Sequence, residues 1–328
     1  MKALKIFGFI IIIVVAVFLI VPAFLPADVS VSVVKQINAK PELVFRQVNS
    51  LKNWLAWSPF EKDTTLVNTF AGPDRGVGAK RQWKSEKTGE GTMTIVKSKP
   101  YEFIENQLTF GPDEQGVGSW SFEPVDNGVN VSWTIHVTGL KYPFGKWSGL
   151  FMNSLLKPML ENGLTNLKKV AESMPVPDVV KIINTDKTPS LIISDSATME
   201  GMQAMFEKDF GELMAFVKRK QIPVTGENFA IYHNWNPQGY TRISVGVPVG
   251  KKVKDYGRIM YFVLPAGKAV FAMHTGGYDT APTHYAIDEY IKDFNLKTKD
   301  FIWETYAYNP MVDKDSTQWK TMIYYPLK

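Results

Sequence analysis

An uncharged apolar segment at the N-terminus limits the possible folds of this chain more than any other feature. Lys2 and Lys5 are followed by no charged residue from Ile6 through Ala27, a run of 22 residues. A helix needs about 20 apolar residues to cross the hydrocarbon core of a bilayer, so the segment predicts a single-pass signal anchor in an inner or plasma membrane. Both nearby lysines precede the span, which predicts a cytoplasmic N-terminus and extracytoplasmic domains, periplasmic in a Gram-negative cell. The alternative is a cleaved signal peptide, but its apolar core is shorter and Leu25 fits its small-x-small cleavage motif poorly.

The remaining length fits two domains of ordinary size. Three prolines without a sustained hydrophobic period lie between residues 173 and 190 and predict a linker. We therefore expect the anchor over residues 1–27, a first soluble domain over 28–174, a linker over 175–187 and a second domain over 188–328.

Composition excludes several kinds of site. The chain has no cysteine, which excludes disulfides, thiolate metal sites and cysteine nucleophiles. The net charge of +5 is spread along the chain without a basic run. That distribution suits a neighbour of an anionic membrane and is weak evidence for nucleic-acid binding. The aromatic content of 13% is consistent both with large cores and with ring-lined cavities.

The first soluble domain has the pattern of an α+β helix-grip fold. Residues 29–37 alternate as a strand, and Pro41 then begins a helix with apolar residues at helical spacing. Between residues 64 and 138, six strand-like segments are separated by turn signals, which predicts an antiparallel meander. A long apolar stripe from residue 146 to 173 predicts a C-terminal helix that Pro158 should kink or interrupt.

The segment "VKQINAKPELVFRQVNSLKNWLAWSP" resembles the opening of START-like (SRPBCC, polyketide-cyclase-like) domains. The later segment "GVGAKRQWKS" is similar to a glycine-flanked strand of that family with an inward tryptophan. The positions of this chain that fit the opening pattern are Ile37, Ala39, Pro41, Val44, Phe45, Trp57, Ser58 and Pro59.

This resemblance implies a curved sheet and a long helix around an apolar tunnel that holds a lipid or another hydrophobic molecule. Taken singly, each candidate lining residue is equally well explained as packed core. The candidates are Trp83, Trp120, Phe122, Trp133, Phe151 and Leu155.

Catalysis in this first domain has little support. His136 is its only histidine, and no carboxylate lies near it in sequence to orient the ring. The glycines of "GPDRGVG" precede a strand and do not open a helix, so no phosphate-binding loop is expected. We expect no cofactor.

The second domain shows the order strand, helix, strand, strand twice, a pseudo-repeat of fold without a repeat of sequence. Its first helix follows Thr198, ends before Pro223 and carries a methionine-rich stripe, which suits either core packing or an adaptable binding surface. His274 and His284 are separated by a turn and a helix start, with no third ligand at metal spacing, so we expect no metal site. His233 lies two residues before Trp235. This position is consistent either with a surface imidazole or with a residue at the rim of a pocket.

The segment "LPAGKAVFAMHTGGYD", then a helix, an acidic-aromatic strand and the terminal "TMIYYPL" resemble the GyrI-like effector-binding domains of bacterial multidrug-sensing regulators. The positions that match are Gly277, Tyr278, Glu304, Tyr306, Pro310, Thr321, Ile323, Pro326 and Leu327.

Glu304 is the notable residue of this domain because it is a carboxylate on a strand, "FIWETYAYNP", of aromatic and apolar neighbours. The resemblance implies that it lies in an aromatic cavity and pairs with the positive charge of an amphipathic ligand. The candidate walls of that cavity are Tyr232, Trp235, Phe271, Tyr278, Tyr306 and Tyr308. From pattern alone, Glu304 could instead pair with Lys320 or Arg242 across the sheet, or face solvent.

We therefore expect a membrane-anchored binding protein, in contact with the membrane through residues 6–27. A hydrophobic ligand would occupy the first domain and an amphipathic cation the second, without turnover. The alternative is a hydrolase with Glu304 as general base and Tyr278 or Tyr306 as proton donor; a third reading is a scaffold with vestigial pockets. No helix-turn-helix pattern is present, so no nucleic-acid partner is expected. The sequence does not indicate an oligomeric state.

Overall fold

The computed structural model describes residues 2–87, 89–110, 114–308 and 315–328. It divides into two compact units, Met1–Val176 and Pro177–Lys328, which we call the first and second domains. The predicted α+β class is confirmed, with one long apolar N-terminal helix and two domains rich in antiparallel sheet. Pro310 of the sequence motif lies outside the described residues.

The first domain begins with the apolar helix α1 (Lys2–Phe24), followed by a strand, a short helix, a meander and a long helix, as the sequence predicts. Its seven strands form one antiparallel sheet in the order β1-β7-β6-β5-β4-β3-β2. The remaining bounds are β1 (Val29–Ile37), α2 (Pro41–Asn49), β2 (Val67–Ala71), β3 (Lys80–Ser85), β4 (Gly89–Lys99), β5 (Phe103–Phe110), β6 (Glu114–Val125), β7 (Gly128–Thr138) and α3 (Phe144–Glu172).

The sequence predicts that Pro158 kinks or interrupts this helix. Helix α3 continues through Pro158, so the interruption is wrong and the kink stays a prediction. Proline removes the hydrogen bond to the carbonyl four residues earlier, here that of Ser154. Both residues are exposed, and water can satisfy the freed carbonyl. Further along α3, Gly163 allows a close approach to the sheet: a Cβ there would lie 2.6 Å from the ring of Trp133.

The core of the first domain is dominated by four indoles. Trp54, Trp57, Trp120 and Trp133 are each at most 1% exposed. Trp120 and Trp133 are cross-strand neighbours whose rings stack at 4.3 Å. Leu164 and Leu167 of α3 close the core from the helix side. Aromatic burial of this size contributes strongly to the stability of this domain.

The second domain is one eight-stranded antiparallel sheet in the order β12-β9-β11-β10-β14-β15-β13-β8. The predicted repeat of strand, helix, strand and strand is present, and each copy gains one strand in front of it. The bounds are β8 (Lys181–Thr185), β9 (Thr188–Ala197), α4 (Met202–Lys220), β10 (Asn228–Tyr232), β11 (Thr241–Pro248), β12 (Met260–Leu264), β13 (Gly267–Thr275), α5 (Ala281–Asp293), β14 (Ile302–Tyr306) and β15 (Lys320–Pro326).

The extra strands exchange partners between the repeats. β8 precedes the first repeat but pairs with β13, the first strand of the second repeat. Likewise, β12 precedes the second repeat but pairs with β9, the first strand of the first repeat. β8 lies inside the segment predicted as linker. Its five residues, "KIINT", form a short edge strand among prolines, which is too brief a pattern to distinguish from a loop.

Both helices cover the same face of this sheet. Ala230 packs with residues of α4 and Ile323 packs with Ile287 of α5, and both stand directly opposite Glu304. Helix α4 packs on β9 and β11, and α5 packs on β13. Between them, β10 and β14 pair at the centre of the sheet, with Ala230 opposite Glu304. Because residues directly opposite in an antiparallel pair share a face, Glu304 faces the side that carries the two helices and lies on strands between them.

Candidate functional site

Glu304 occupies the middle of the central strand β14 and is 5% exposed. Its neighbours across the sheet are Ala230 on β10 and Ile323 on β15, both fully buried. A carboxylate in such surroundings needs polar partners, since burying an unpaired charge is costly. Each of its oxygens has such partners.

Two tyrosines donate to one oxygen of Glu304. The Oε2 atom accepts from Tyr306 Oη at 3.0 Å and from Tyr232 Oη at 3.3 Å, and the two hydroxyls lie 3.2 Å apart. Tyr232 ends β10 as Tyr306 ends β14, so the two phenols come from equivalent positions of the two repeats. The fold therefore converges both repeats on one carboxylate.

A histidine donates to the other oxygen. His284, in the first turn of α5, places Nε2 2.9 Å from Glu304 Oε1, and its Nδ1 lies 2.9 Å from Tyr325 Oη. With Nε2 donating to the carboxylate, a neutral ring accepts the Tyr325 hydroxyl proton at Nδ1. Tyr325, His284 and Glu304 thus form a continuous hydrogen-bonded chain.

The phenols of this site are held in their protonated form. Burial, together with the negative charge of Glu304, raises the pKa of Tyr232 and Tyr306 well above the ordinary value. Burial likewise raises the pKa of Tyr308 to about 12, and burial with the charges of Asp288 and Glu304 raises that of Tyr325. These groups act as hydrogen-bond donors across the neutral pH range.

No lysine or arginine forms an ion pair with Glu304 in the described part of the chain, where His284 is its basic partner. The alternative pairing with Lys320 or Arg242 is wrong because both lie on the other face of the sheet. Lys320 is one residue from Thr321, which pairs with Tyr306 on the Glu304 face. Arg242 is one residue from Ile243, which pairs with Tyr232 on that same face.

Aromatic rings lead away from the buried carboxylate toward the surface. Tyr306 contacts Tyr308 edge-on at 5.9 Å, Tyr308 stacks on Trp319 at 4.5 Å, and Trp319 contacts Tyr278 at 5.1 Å. Tyr278 is 71% exposed, so it lies at the outer end of the series and not beside Glu304.

A second aromatic path and the helix side complete the surroundings. The exposed Trp235 contacts Tyr232 edge-on at 6.3 Å. Phe206 and Phe210 of α4 each pack against Tyr306 at 6.5 Å. Of the six predicted walls, Tyr232 and Tyr306 contact Glu304, while Tyr308, Trp235 and Tyr278 are joined to it through other rings.

Phe271 does not belong to this site, and its prediction as a wall is wrong. It pairs with Tyr324, which in turn pairs with Trp303, whereas Glu304 pairs with Ile323. Alternation along the strand therefore places Phe271 on the opposite face of the sheet. Which residues of β13 share a face with Glu304 on β14 depends on how the strands pair in the folded sheet, and neither strand's sequence alone shows it.

Sequence reasoning missed three members of the site: His284, Tyr325 and Trp319. The signal for His284 was available only as a histidine near a helix start after a turn. For Tyr325 the signal was its spacing, since it lies two residues after Ile323 on a predicted strand and therefore on the same face. Trp319 precedes that strand, where periodicity carries no information about orientation.

The other two histidines of this domain have structural partners. His233 Nε2 lies 2.8 Å from Ser244 Oγ, and burial followed by the nearby Arg242 lowers the pKa of its ring. His274 Nδ1 lies 3.0 Å from Thr283 Oγ1, whose hydroxyl also donates to Asp178. No group of three or more His, Cys, Asp or Glu side chains among the described residues is arranged to hold a metal ion.

In the first domain the six tunnel candidates separate into two groups. Trp120, Phe122 and Trp133 lie in the core, and Trp83 is half-buried against Phe110. Whether any of these four contacts a ligand stays a prediction.

Phe151 and Leu155 are 68% and 65% exposed, so their prediction as lining residues is wrong. Helix α3 carries two apolar stripes. The stripe that faces the sheet runs through Leu160, Leu164 and Leu167, and the predicted pair lies on the outer one.

The two domains match two known families. Residues 28–172 match the family described as polyketide cyclase / dehydrase and lipid transport. Residues 179–328 match the GyrI-like small molecule binding domain. No curated protein matches the chain.

Among solved structures, the C-terminal domain of EcmrR is similar at 18% identity, with 46% of this chain and 98% of that chain covered and a TM-score of 0.41. A cryo-EM structure of an EcmrR–DNA complex is similar at 16% identity, 55% and 69% coverage and a TM-score of 0.44. Protein CV1439 from Chromobacterium violaceum is similar at 16% identity, 44% and 98% coverage and a TM-score of 0.35.

Proposed function

Because this chain joins a START-like domain of the polyketide cyclase and lipid transport family to a GyrI-like small molecule binding domain, we propose that it is a membrane-anchored receptor for small amphipathic molecules. The second domain binds an organic cation at Glu304, and the first takes a hydrophobic molecule. Both bind without turnover, so the protein senses or sequesters its ligands.

The observation that carries the proposal is a carboxylate, 5% exposed, whose described partners are two phenols and one imidazole. The phenols are neutral donors, so they stabilise the negative charge without cancelling it. A ligand cation reaching Glu304 would gain a strong Coulomb attraction in a medium of low dielectric. Tyr232 and Tyr306 would add cation–π attraction of about 0.5–2 kcal/mol.

His284 defines how the site accepts a cation. Its Nε2 donates to Oε1 of Glu304, and the Tyr325 hydroxyl donates to Nδ1 on the other side of the ring. An entering cation replaces this hydrogen bond, and the ring can remain tethered by Tyr325. The exposed Trp235 and Tyr278 provide aromatic surface for the apolar part of an amphipathic ligand.

Membrane anchoring is supported by helix α1. Residues Ile6–Phe24 form the one described helix that is long and apolar enough to cross a bilayer. Its apolar side chains are mostly exposed, unlike those of a helix in a soluble core. The lysines before it favour a cytoplasmic N-terminus, and with that orientation both domains would lie outside the cytoplasm.

Hydrolysis is the second candidate, because a carboxylate, an imidazole and two phenols within hydrogen-bonding distance form an acid–base set. Its weakness lies in the proton donor. An efficient general acid has a pKa near the working pH, whereas burial raises the pKa of Tyr306 well above its ordinary value. Tyr278, the other donor considered, is remote from Glu304 at the exposed end of the ring series.

The test compares the full chain in detergent with its Glu304→Gln variant, which keeps the shape and one acceptor but removes the charge. Tryptophan fluorescence follows titration with a lipophilic cation such as tetraphenylphosphonium and with its neutral carbon isostere. We expect the variant to bind the cation at least about tenfold more weakly, equivalent to about 1.4 kcal/mol, and the neutral compound equally well.

Glu227→Gln is the matched control because Glu227 is exposed in the same domain. Equal cation affinity in all three proteins would contradict the proposal. Mass spectrometry of ligands incubated with the wild type tests the hydrolase alternative, since products that Glu304→Gln fails to form would establish turnover.

A further inference from the structure

One backbone carbonyl of helix α1 lacks its usual hydrogen-bond donor within the helix. In an α-helix the N–H of residue i donates to the carbonyl of residue i−4, but Pro22 has no N–H and leaves the carbonyl of Phe18 without that donor. In hydrocarbon an unsatisfied carbonyl costs several kcal/mol because no water replaces the bond. The freed group therefore needs a donor from elsewhere in the protein.

Trp147 of α3 supplies this donor. Its Nε1 donates to the carbonyl oxygen of Phe18 at 3.0 Å, and the two rings stack at 6.0 Å. Tyr142, just before α3, donates its hydroxyl to the carbonyl of Leu19 at 2.6 Å. Phe144 adds an edge contact with Phe18 at 5.3 Å. Helix α3 is thus attached by its first turns to the interior of α1 and not only to its end.

The attachment point fixes the depth of α3 if α1 crosses the bilayer, so this inference rests on the proposed anchor. Phe18 precedes the helix end at Phe24 by six residues, or about 9 Å along the axis. Trp147 and Phe144 then lie on the hydrocarbon side of the outer boundary. Lys146 donates to the carbonyl of Leu25, just past the helix, at 2.9 Å. That contact puts its ammonium at headgroup level, where lysines reach from membrane-embedded positions.

The outer face of α3 continues this apolar surface. Phe144, Phe151 and Leu155 are 74%, 68% and 65% exposed. Their spacing of i, i+7 and i+11 places them along one side of the helix. Lys146 and Lys157 lie on the opposite side by the same geometry. A stripe of large exposed side chains is unfavourable in water and typical of a surface that contacts a partner.

We propose that the first half of α3 is embedded in the extracytoplasmic leaflet, with Phe144, Phe151 and Leu155 among the acyl chains. The partner of this surface is lipid because the stripe is continuous with the transmembrane helix through the contacts of Phe18. Trp147 and Tyr142 have the amphipathic rings that favour the membrane interface. The helix that closes the core of the first domain therefore also contacts the lipid from which a hydrophobic ligand would enter.

The absence of cysteine in the chain allows a direct test. Single-cysteine variants of the full chain, Phe151→Cys and Leu155→Cys, carry an environment-sensitive fluorophore in proteoliposomes that contain nitroxide-labelled lipid. Ile12→Cys in α1 is the reference for a residue in the bilayer. Val67→Cys is the matched control, since Val67 is 64% exposed on β2 of the same domain.

We expect the labels at 151 and 155 to be quenched at least half as strongly as the label at 12, and the label at 67 to show only background quenching. If the labels at 151 and 155 match the label at 67 while that at 12 is quenched, the inference fails and the anchor stands. If the label at 12 is not quenched, the anchor fails and the inference fails with it.

Discussion

The first domain buries the rings of Trp54, Trp57, Trp120 and Trp133 together. In the second, a carboxylate and two phenols lie on the central strands, and an imidazole reaches the carboxylate from helix α5. Indoles packed at van der Waals distance must separate before a ligand can enter. The polar groups of the second domain are already oriented and need only exchange one partner. Under the function proposed above, the contrast predicts that the first domain selects ligands by apolar volume and the second by charge.

The largest predicted effect concerns the aromatic core. Trp120→Ala removes a fully buried indole that stacks on Trp133 and contacts Trp54 and Trp57. We expect the free energy of unfolding of the first domain to fall by about 3–5 kcal/mol, because such a truncation leaves a cavity. Calorimetry of the full chain would show one transition shifted to lower temperature and the other unchanged.

Trp235→Ala is the control for this change because Trp235 is 60% exposed. It should leave both transitions nearly in place. A small effect of Trp120→Ala, comparable to that of Trp235→Ala, would mean that the indoles are not tightly packed and already admit solvent or ligand. The comparison between a packed and a preorganised domain would then fail.

The next effect concerns charges that the second domain uses for stability. Arg258 forms ion pairs with Asp209, whose side chain is 1% exposed, and with Asp195, whose side chain is 31% exposed. We expect Asp209→Asn to cost about 1–3 kcal/mol of unfolding free energy, since the side chain at 209 is buried and loses its ion pair with Arg258 where water cannot replace it. Asp195→Asn should cost at most about 1 kcal/mol.

Urea denaturation of the two variants tests this difference directly, because both lose one carboxylate from the same arginine. Equal costs would show that burial of Asp209 on α4 adds nothing.

A further prediction is a sensitivity to alkali confined to the second domain. A tyrosine whose pKa is higher in the folded than in the unfolded state contributes stability that is complete below about pH 10 and is lost as the pH rises through the folded value. Burial raises the pKa of Tyr308 to about 12 and that of Tyr232 and Tyr306 well above the ordinary value. Between pH 10 and pH 12 the second domain should therefore lose stability.

Urea midpoints measured across this pH range would follow the loss, and Tyr308→Phe should reduce its slope. Tyr240→Phe, at an exposed position, should leave the slope unchanged. The first domain contains only Tyr101 and Tyr142 and serves as an internal reference. A first domain that destabilises as steeply as the second would contradict the assignment to the buried phenols.

The sequence predicted the strands well because their alternation is local. The six meander segments correspond to β2–β7, and the doubled strand, helix, strand, strand order is present in the second domain. Glu304 is also identified by local information, since one charge among rings on a strand is paired, faces solvent or binds a ligand. The structure confirms that the residue is buried, with Tyr306 from the same strand beside it.

The errors arise where position depends on contacts between distant segments. Phe271 was assigned the wrong face because the parity of β13 is fixed only by its pairing with β15. Phe151 and Leu155 were assigned to the interior because helical spacing identifies a stripe but not the direction it faces. His284 was missed because its approach to Glu304 depends on where α5 lies over the sheet.

The central pairing of β10 with β14 has a consequence for how many ligands this protein binds. Ala230 and Glu304 are the middle residues of two equivalent strands and stand directly opposite each other. Cβ atoms of such a pair are about 5 Å apart, so two ionised carboxylates there would repel each other strongly. A duplicated half-domain that meets its copy in this way can hold a single charge at the junction, so the proposed function predicts a stoichiometry of one cation per chain.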